Sequence, residues 1–292
     1  MTKQLHFKQE EILNKIICLL ENNNLEWLKS WKTGIAKNYI TKKEYRGVNT
    51  IITQIDKIEN SFKSNYYLTF LQIKRLKGRL KEGSKGIPIF YYKIIENKVL
   101  NQDTKEEKIK KYSLLKYYVV FNVENTDLNI QEEIKVSNPI DSCEQIIVGY
   151  KDIPLIKNAG FPHYNKKEDT IGIPLKEDFI SIEEYYSTLY HELSHSTGHE
   201  KRLNRECLTE YSPFESAGHS KEEIVAELSA SLLCGYSGID NKIINNNSAY
   251  IKGWLNNIKQ DKNFLFSCFK LSQKSADYIR GIKNETDTNK VK

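Results

Sequence analysis

Paired cysteines, arginine and long apolar stretches are what this 292-residue sequence has least of, and each shortage excludes something. The five cysteines, Cys18, Cys143, Cys207, Cys234 and Cys268, are odd in number, widely spaced and form no CxxC pair. Neither a disulfide framework nor a thiolate zinc knuckle is supported, and the thiols read as reduced and mostly buried. No apolar run approaches the roughly 18 residues of a membrane helix. Charges interrupt the start, MTKQLHFKQEEILNKIICLL, where a signal peptide is purely apolar. A cytoplasmic protein with no membrane partner is expected. Arginine is outnumbered by lysine, 6 to 38, which reads as AT-rich coding bias, since lysine is the weaker choice for bidentate phosphate recognition.

Charge and histidine divide the chain. Residues 1–130 carry 24 Lys and Arg against 14 Asp and Glu, whereas residues 131–292 carry 20 against 24. Within residues 63–98, nine cations meet two anions, a stripe that attracts polyanions. Of the six histidines, His163, His191, His195, His199 and His219 lie in the second part. The length fits two domains of an α+β chain. The expected division is a nucleic-acid-binding domain over 1–130, a linker over 131–143, a mostly helical metal-binding domain over 144–283 and a polar disordered tail over 284–292.

In the first half, Ile12, Ile16, Leu19 and Leu20 at helical spacing predict an amphipathic helix over 8–22. Residues 48–55 fit a helix or a strand, and Gly47 before them marks a turn or a close backbone approach. Thr69 caps a predicted helix carrying Leu71, Ile73 and Leu76 that ends near Gly78. Strands follow at 87–93 and 111–124, and the polar residues 94–110 between them read as a mobile hairpin insertion. Basic side chains interleaved with aromatics suit single-stranded nucleic acid, because phosphates need cations while unstacked bases lie on aromatic faces. Core aromatics beneath an ordinary solvated lysine face would produce the same composition.

The second half contains SIEEYYSTLYHELSHSTGH over residues 181–199. Ser181 with Glu184 predicts a capping box, and Gly198 a helix stop. His191 and His195 therefore share one helix face, one turn apart, which suits two ligands of a tetrahedral zinc ion, with Glu192 beside the first as general base. The extended pattern HExxHxxGxxH fails, since its last position is Lys201. His199 is a weaker ligand candidate, because it follows the helix-ending glycine. A helix over 221–235 offers Glu223 and Glu227 on one face. Glu223 is assigned as third ligand and Glu227 as the carboxylate that orients an imidazole, the reverse assignment remaining open. Glu222 is expected to point into solvent. Tyr164, Tyr211 and His219 are candidates for steadying an oxyanion.

Several blocks together resemble ArdC-type antirestriction proteins of mobile elements. They are EWLKSW, EYRGVNTI, YYLTFLQIKRLKGRLKEGSKGIPIFYYK, YYVVFNVENT, PHYNKKEDTIGIP, YYSTLYHELSHSTGHEKRLNR, KEEIVAELSASLLCG and YIKGWLNNIKQDKNFL. The resemblance implies a single-stranded-DNA-binding domain followed by a zincin-like HExxH…E metallopeptidase domain, protecting incoming DNA from host restriction. It supports Glu223 as ligand and Glu227 as orienting residue, with one zinc or another divalent ion. It implies Trp31, Tyr45, Arg46, Asn49, Lys74, Arg79, Lys81 and Lys85 as DNA contacts, with Trp27, Tyr66, Tyr67 and Phe90 as stacking candidates. His219 stands where the family pattern leads one to expect an aromatic. The protein substrate would be a restriction subunit or another protein met on DNA. Two other readings stand beside this one: a masking or docking module with structural zinc, and a DNA-dependent protease acting on DNA-bound proteins.

Overall fold

The computed structural model describes residues 2–100, 107–130, 138–209, 217–243, 248–261 and 263–282. Helices α1 (Thr2–Glu21) and α2 (Glu26–Lys29) lead through β1 (Lys37–Asn38), α3 (Val48–Glu59), β2 (Tyr66–Thr69) and α4 (Phe70–Arg75) to the long strands β3 (Ile87–Leu100) and β4 (Glu107–Asn122). The second half runs α5 (Pro139–Gly149), β5 (Leu155–Asn158), β6 (His163–Asn165), β7 (Thr170–Ile173), α6 (Ile182–Thr197), α7 (Glu206–Thr209), α8 (Ala217–Ser237), α9 (Ser248–Gln260) and α10 (Phe264–Ile279). The class is α+β. None of the described helices is long and apolar enough to cross a membrane.

Local chemistry explains the elements of the first half. Helix α1 buries Ile12, Leu13, Ile16 and Leu20 along one stripe. Segment 48–55 is helical, and it starts from Gly47 at φ 58° and ψ −131°, a backbone region that essentially only glycine visits. Thr69 caps α4 as expected: its hydroxyl accepts the Gln72 N–H at 3.2 Å while Gln72 Oε1 accepts the Thr69 N–H at 2.8 Å. The sheet order is β1-β2-β4-β3, with only β1 and β2 parallel. Strands β3 and β4 pair without a break from Ile87↔Val120 to Leu100↔Glu107. Residues 94–100 and 107–110 are thus ladder rather than a mobile insertion, and 101–106 lie outside the described residues. The sequence of these ladder positions includes residues of high β propensity, which favours extending the hairpin.

The expected linker is partly helix. Asn138 caps α5 through its side chain, with Pro139 in the first turn, while 131–137 and the tail over 284–292 lie outside the described residues. The two halves also share one hydrophobic core. Ile16, Trp27, Trp31 and Ile55 from the first half belong to the same buried cluster as Leu193, Leu228, Phe269 and Ile279 from the second. At this junction Asp240 Oδ1 accepts the backbone N–H groups of Trp31 at 3.1 Å and Lys32 at 3.3 Å. Gln273 Oε1 takes the Gly47 N–H at 2.8 Å, and Arg46 pairs with the buried Asp277. Gly235 of α8 lets the Trp31 ring approach so closely that an added Cβ would stand 2.7 Å from its Cε3.

Replacing Trp31 with alanine is expected to cost about 3–5 kcal/mol, with both halves losing structure in a single transition. Urea unfolding followed by far-ultraviolet circular dichroism checks this. A loss below about 1 kcal/mol, or two separate transitions, would contradict the shared core.

Candidate metal centre

Helix α6 begins where the sequence predicts, though with a different closure. Ser181 Oγ accepts the Glu184 N–H at 3.2 Å, whereas the Glu184 carboxylate takes the N–H of Ile180 rather than that of Ser181, at 3.0 Å. Gly198 ends the helix at an ordinary φ of −75°, so no left-handed stop is involved. A Cβ there would lie 2.8 Å from Arg205 Nη2, so the glycine admits a buried guanidinium.

The two imidazoles converge as their spacing requires. His191 Nε2 and His195 Nε2 are 3.0 Å apart, and the Glu223 carboxylate lies 3.6 Å from the first and 3.5 Å from the second. Donors bonded tetrahedrally to zinc at about 2.0–2.1 Å stand roughly 3.3–3.4 Å from one another, so this triangle has the right size for one ion. His191, His195 and Glu223 are the group of potential metal ligands among the described residues whose donor atoms all lie within 4.8 Å of one another. The electrostatics ask for a cation. Burial works against charge on His191, but Glu223 and Glu227 outweigh it and hold the imidazole well above its ordinary pKa. A metal ion would take the place of that proton.

A carboxylate stands behind each imidazole ring. Glu227 Oε2 sits 3.2 Å from His191 Nδ1, a position from which a carboxylate can orient the ring. Glu222 is the correction: it is 3% exposed rather than solvated, with Oε1 at 3.2 Å from His195 Nδ1. It faces inward because Arg205, 4% exposed, meets it along two edges, Nε donating to Oε2 at 2.9 Å and Nη2 to Oε1. Burial pushes the Glu222 carboxyl up, yet Arg205 prevails and holds it at about 2. Arg205 is fixed in turn by Thr197 Oγ1 at 2.5 Å and by the Ser194 carbonyl at 2.7 Å. Nothing in the sequence spacing marks Arg205, since it comes from the turn after α6. Cys207 Sγ donates to Glu222 Oε2 at 3.0 Å, and burial beside that carboxylate pushes its thiol up to about 12, which disfavours the thiolate.

Glu192, 7% exposed, lines a cleft of about 390 Å³ together with His191, His195, Glu223, His163 and Tyr164. The Tyr164 hydroxyl is directed away from oxyanion duty: it donates to Asp169 at 2.8 Å and accepts from Arg202 at 3.2 Å. Tyr211 and the side chain of His219 lie outside the described residues. His163 enters the cleft from β6, a position that only its block of sequence, PHYN, could have suggested. His199 is buried with Nδ1 accepting the Lys201 N–H at 3.2 Å, and it stands apart from the ligand group.

The suggested DNA contacts divide sharply. Lys74, Arg79, Lys81 and Lys85 are exposed. Trp31 is interior, 1% exposed, its indole N–H donating to the Leu28 carbonyl at 2.8 Å, so its face is closed to a base. Trp27, Tyr67 and Phe90 are core as well, and Tyr66 is half-buried. Arg46 is engaged with Asp277, and the Asn49 side chain bonds both backbone groups of Phe90, at 2.7 and 2.8 Å. Tyr45 has a buried ring but borders a second cleft.

Replacing Arg205 with leucine would strand the buried Glu222 charge. The expected cost is about 3–5 kcal/mol of stability and a 10- to 100-fold loss of zinc affinity. Chemical denaturation and chelator competition measure the two effects. Unchanged zinc affinity would show that His195 needs no support from this pair.

Residues 8–121 match the family model described as the N-terminal domain of anti-restriction factor ArdC, and residues 145–270 match the zincin-like metallopeptidase model. Two Escherichia coli proteins named DNA primase TraC are 25% and 26% identical over 94% of this chain, which spans only 27% and 20% of their lengths. Protein y4eC of Sinorhizobium fredii, itself uncharacterized, is 22% identical over 97% of this chain and 94% of its own. The metal-free crystal structure of the antirestriction ArdC protein from plasmid R388 superposes with a TM-score of 0.75 at 27% identity, covering 94% of this chain and 99% of that one. Its Mn(II)-bound structure gives 0.74 at 25% identity, over 93% and 96%. With a domain model matched on each half and the R388 structures matched along almost their whole length, the chain matches the ArdC-type two-domain organisation, an ArdC N-terminal domain followed by a zincin-like metallopeptidase domain.

Proposed function

We propose that the chain is an antirestriction protein that binds single-stranded DNA through its basic first half and carries a zinc-dependent peptidase-like site in its second. The observation that carries this reading is the convergence of His191, His195 and Glu223 in a cleft that also holds Glu192. Likeness to the R388 antirestriction ArdC protein over nearly all of both chains supports the biological setting, and its Mn(II)-bound form supports a divalent ion. Two imidazoles and one carboxylate suit zinc best.

When bound, the ion polarises a carbonyl and lowers the pKa of a coordinated water. The protein's own residues do the rest. Glu192, adjacent in sequence to a ligand and largely shielded from solvent, takes the water's proton and delivers it to the departing amide nitrogen. Among the described residues, β6 pairs only with β7. Its other edge can therefore offer backbone N–H and C=O groups to an extended peptide beside the cleft. His163 Nδ1–H donates to the Phe161 carbonyl at 3.1 Å, which leaves Nε2 as an acceptor for a substrate N–H.

The test is the establishment of unmodified conjugated DNA in recipients with and without type I restriction. The protein is expected to raise establishment in the restricting recipient alone; no rise there contradicts the reading. Glu192→Ala should lower peptide-bond cleavage by the zinc-loaded protein about 10²- to 10⁴-fold while metal stays bound. Protection that survives this change resides in DNA coverage, and protection lost with it resides in the peptidase chemistry.

A further inference from the structure

A second cleft, of about 520 Å³, lies in the first half between the β1–α3 segment and the face of β3 and β4, and none of the metal cluster's residues lines it. Tyr45 lies against its inner side, 5% exposed, its ring meeting Tyr67 edge-on at 5.9 Å between centroids. The Tyr45 hydroxyl is buried and has no hydrogen-bond partner among the described residues. Asn38 stands beside it as a polar neighbour, with Oδ1 accepting from the Ile40 and Thr41 N–H groups and Nδ2 donating one hydrogen to Gln72. An unpaired buried hydroxyl is costly, so a cavity that retains one favours an occupant with a polar edge.

The outer wall is aromatic. In the β3–β4 register Ile89 faces Tyr118 and Tyr91 faces Lys116, so these four side chains share one face of the sheet. That face passes from the buried Ile89 to Tyr91 and Tyr118, which are 41% and 39% exposed with ring centroids 5.7 Å apart. Lys43, exposed at the rim, supplies a cation. A planar ring with a polar edge and an attached anion matches all three features. An apolar side chain of a peptide would leave the Tyr45 hydroxyl unpaired.

We propose that this cleft takes one unstacked base of a DNA single strand, its face on Tyr118 and Tyr91, its edge bonded to Tyr45 Oη and its phosphate beside Lys43. The assignment rests on the single-strand-binding reading above. It makes Tyr118 and Tyr91 the base-stacking residues, in place of the interior Trp31.

The test is fluorescence anisotropy of the full chain with an oligothymidylate strand, an abasic strand of equal length and free thymidine monophosphate. Tyr118→Ala is expected to weaken oligothymidylate binding about tenfold and Tyr45→Phe about threefold. Both variants should bind the abasic strand as wild type does, and unchanged thermal melting would confirm that they fold. Both variants binding oligothymidylate within about twofold of wild type would overturn the cleft assignment while leaving strand binding intact. Failure of wild type to bind either strand would overturn both readings. Thymidine monophosphate binding as tightly as the strand would assign the cleft to free nucleotides instead.

Discussion

The packing of α8 across α6 is the constraint on which the rest of this structure depends. It sets three carboxylates of one helix against two imidazoles of the other, so that Glu223 meets both Nε2 atoms while Glu222 and Glu227 stand behind the rings. Three acidic side chains at a buried helix interface would repel one another unless cations shared the space. Arg205 supplies one cation from the turn after α6, and the imidazole pair supplies, or exchanges for a metal ion, the other. Gly198 belongs to this arrangement, since a side chain there would displace the guanidinium.

The same helix pair ties the molecule together. Helix α8 carries the carboxylates near its first turns and Gly235 near its end, where Trp31 and Ile35 of the first half pack. The half with the basic charge excess and the half that carries the candidate metal centre are therefore joined through buried aromatic contacts and through Arg46–Asp277. A strand bound on the first half, as proposed, would lie on a body that shares its core with the helices of the candidate metal centre. This places the two candidate chemistries at a fixed separation rather than on a flexible tether.

Much of this could be read from the sequence where one side chain acts through local spacing. The His191–His195 pair, the Thr69 cap and the amphipathic α1 depend on neighbours three or four residues away, and all three appear as their patterns predict. Contacts that depend on tertiary partners were not legible. Spacing alone leaves Glu222 solvated because its partner, Arg205, carries no periodic signal, and leaves Trp31 open to DNA because its packing involves Gly235, over two hundred residues away. Arg46 and Asn49 likewise have the right chemistry for phosphate and base but are taken up by Asp277 and by the edge of β3. Composition shows that a surface is basic and aromatic. Only the packing separates aromatics that fill the core from those that remain on the face of the sheet.

The most direct test of the account is a titration of the metal-free protein with Co(II), read from its visible absorption and from bound metal per chain. One equivalent, with a tetrahedral spectrum that disappears in Glu223→Ala and persists at weaker affinity in Glu227→Ala, is the predicted result. The reverse pattern, or binding that survives loss of both His191 and His195, would contradict it.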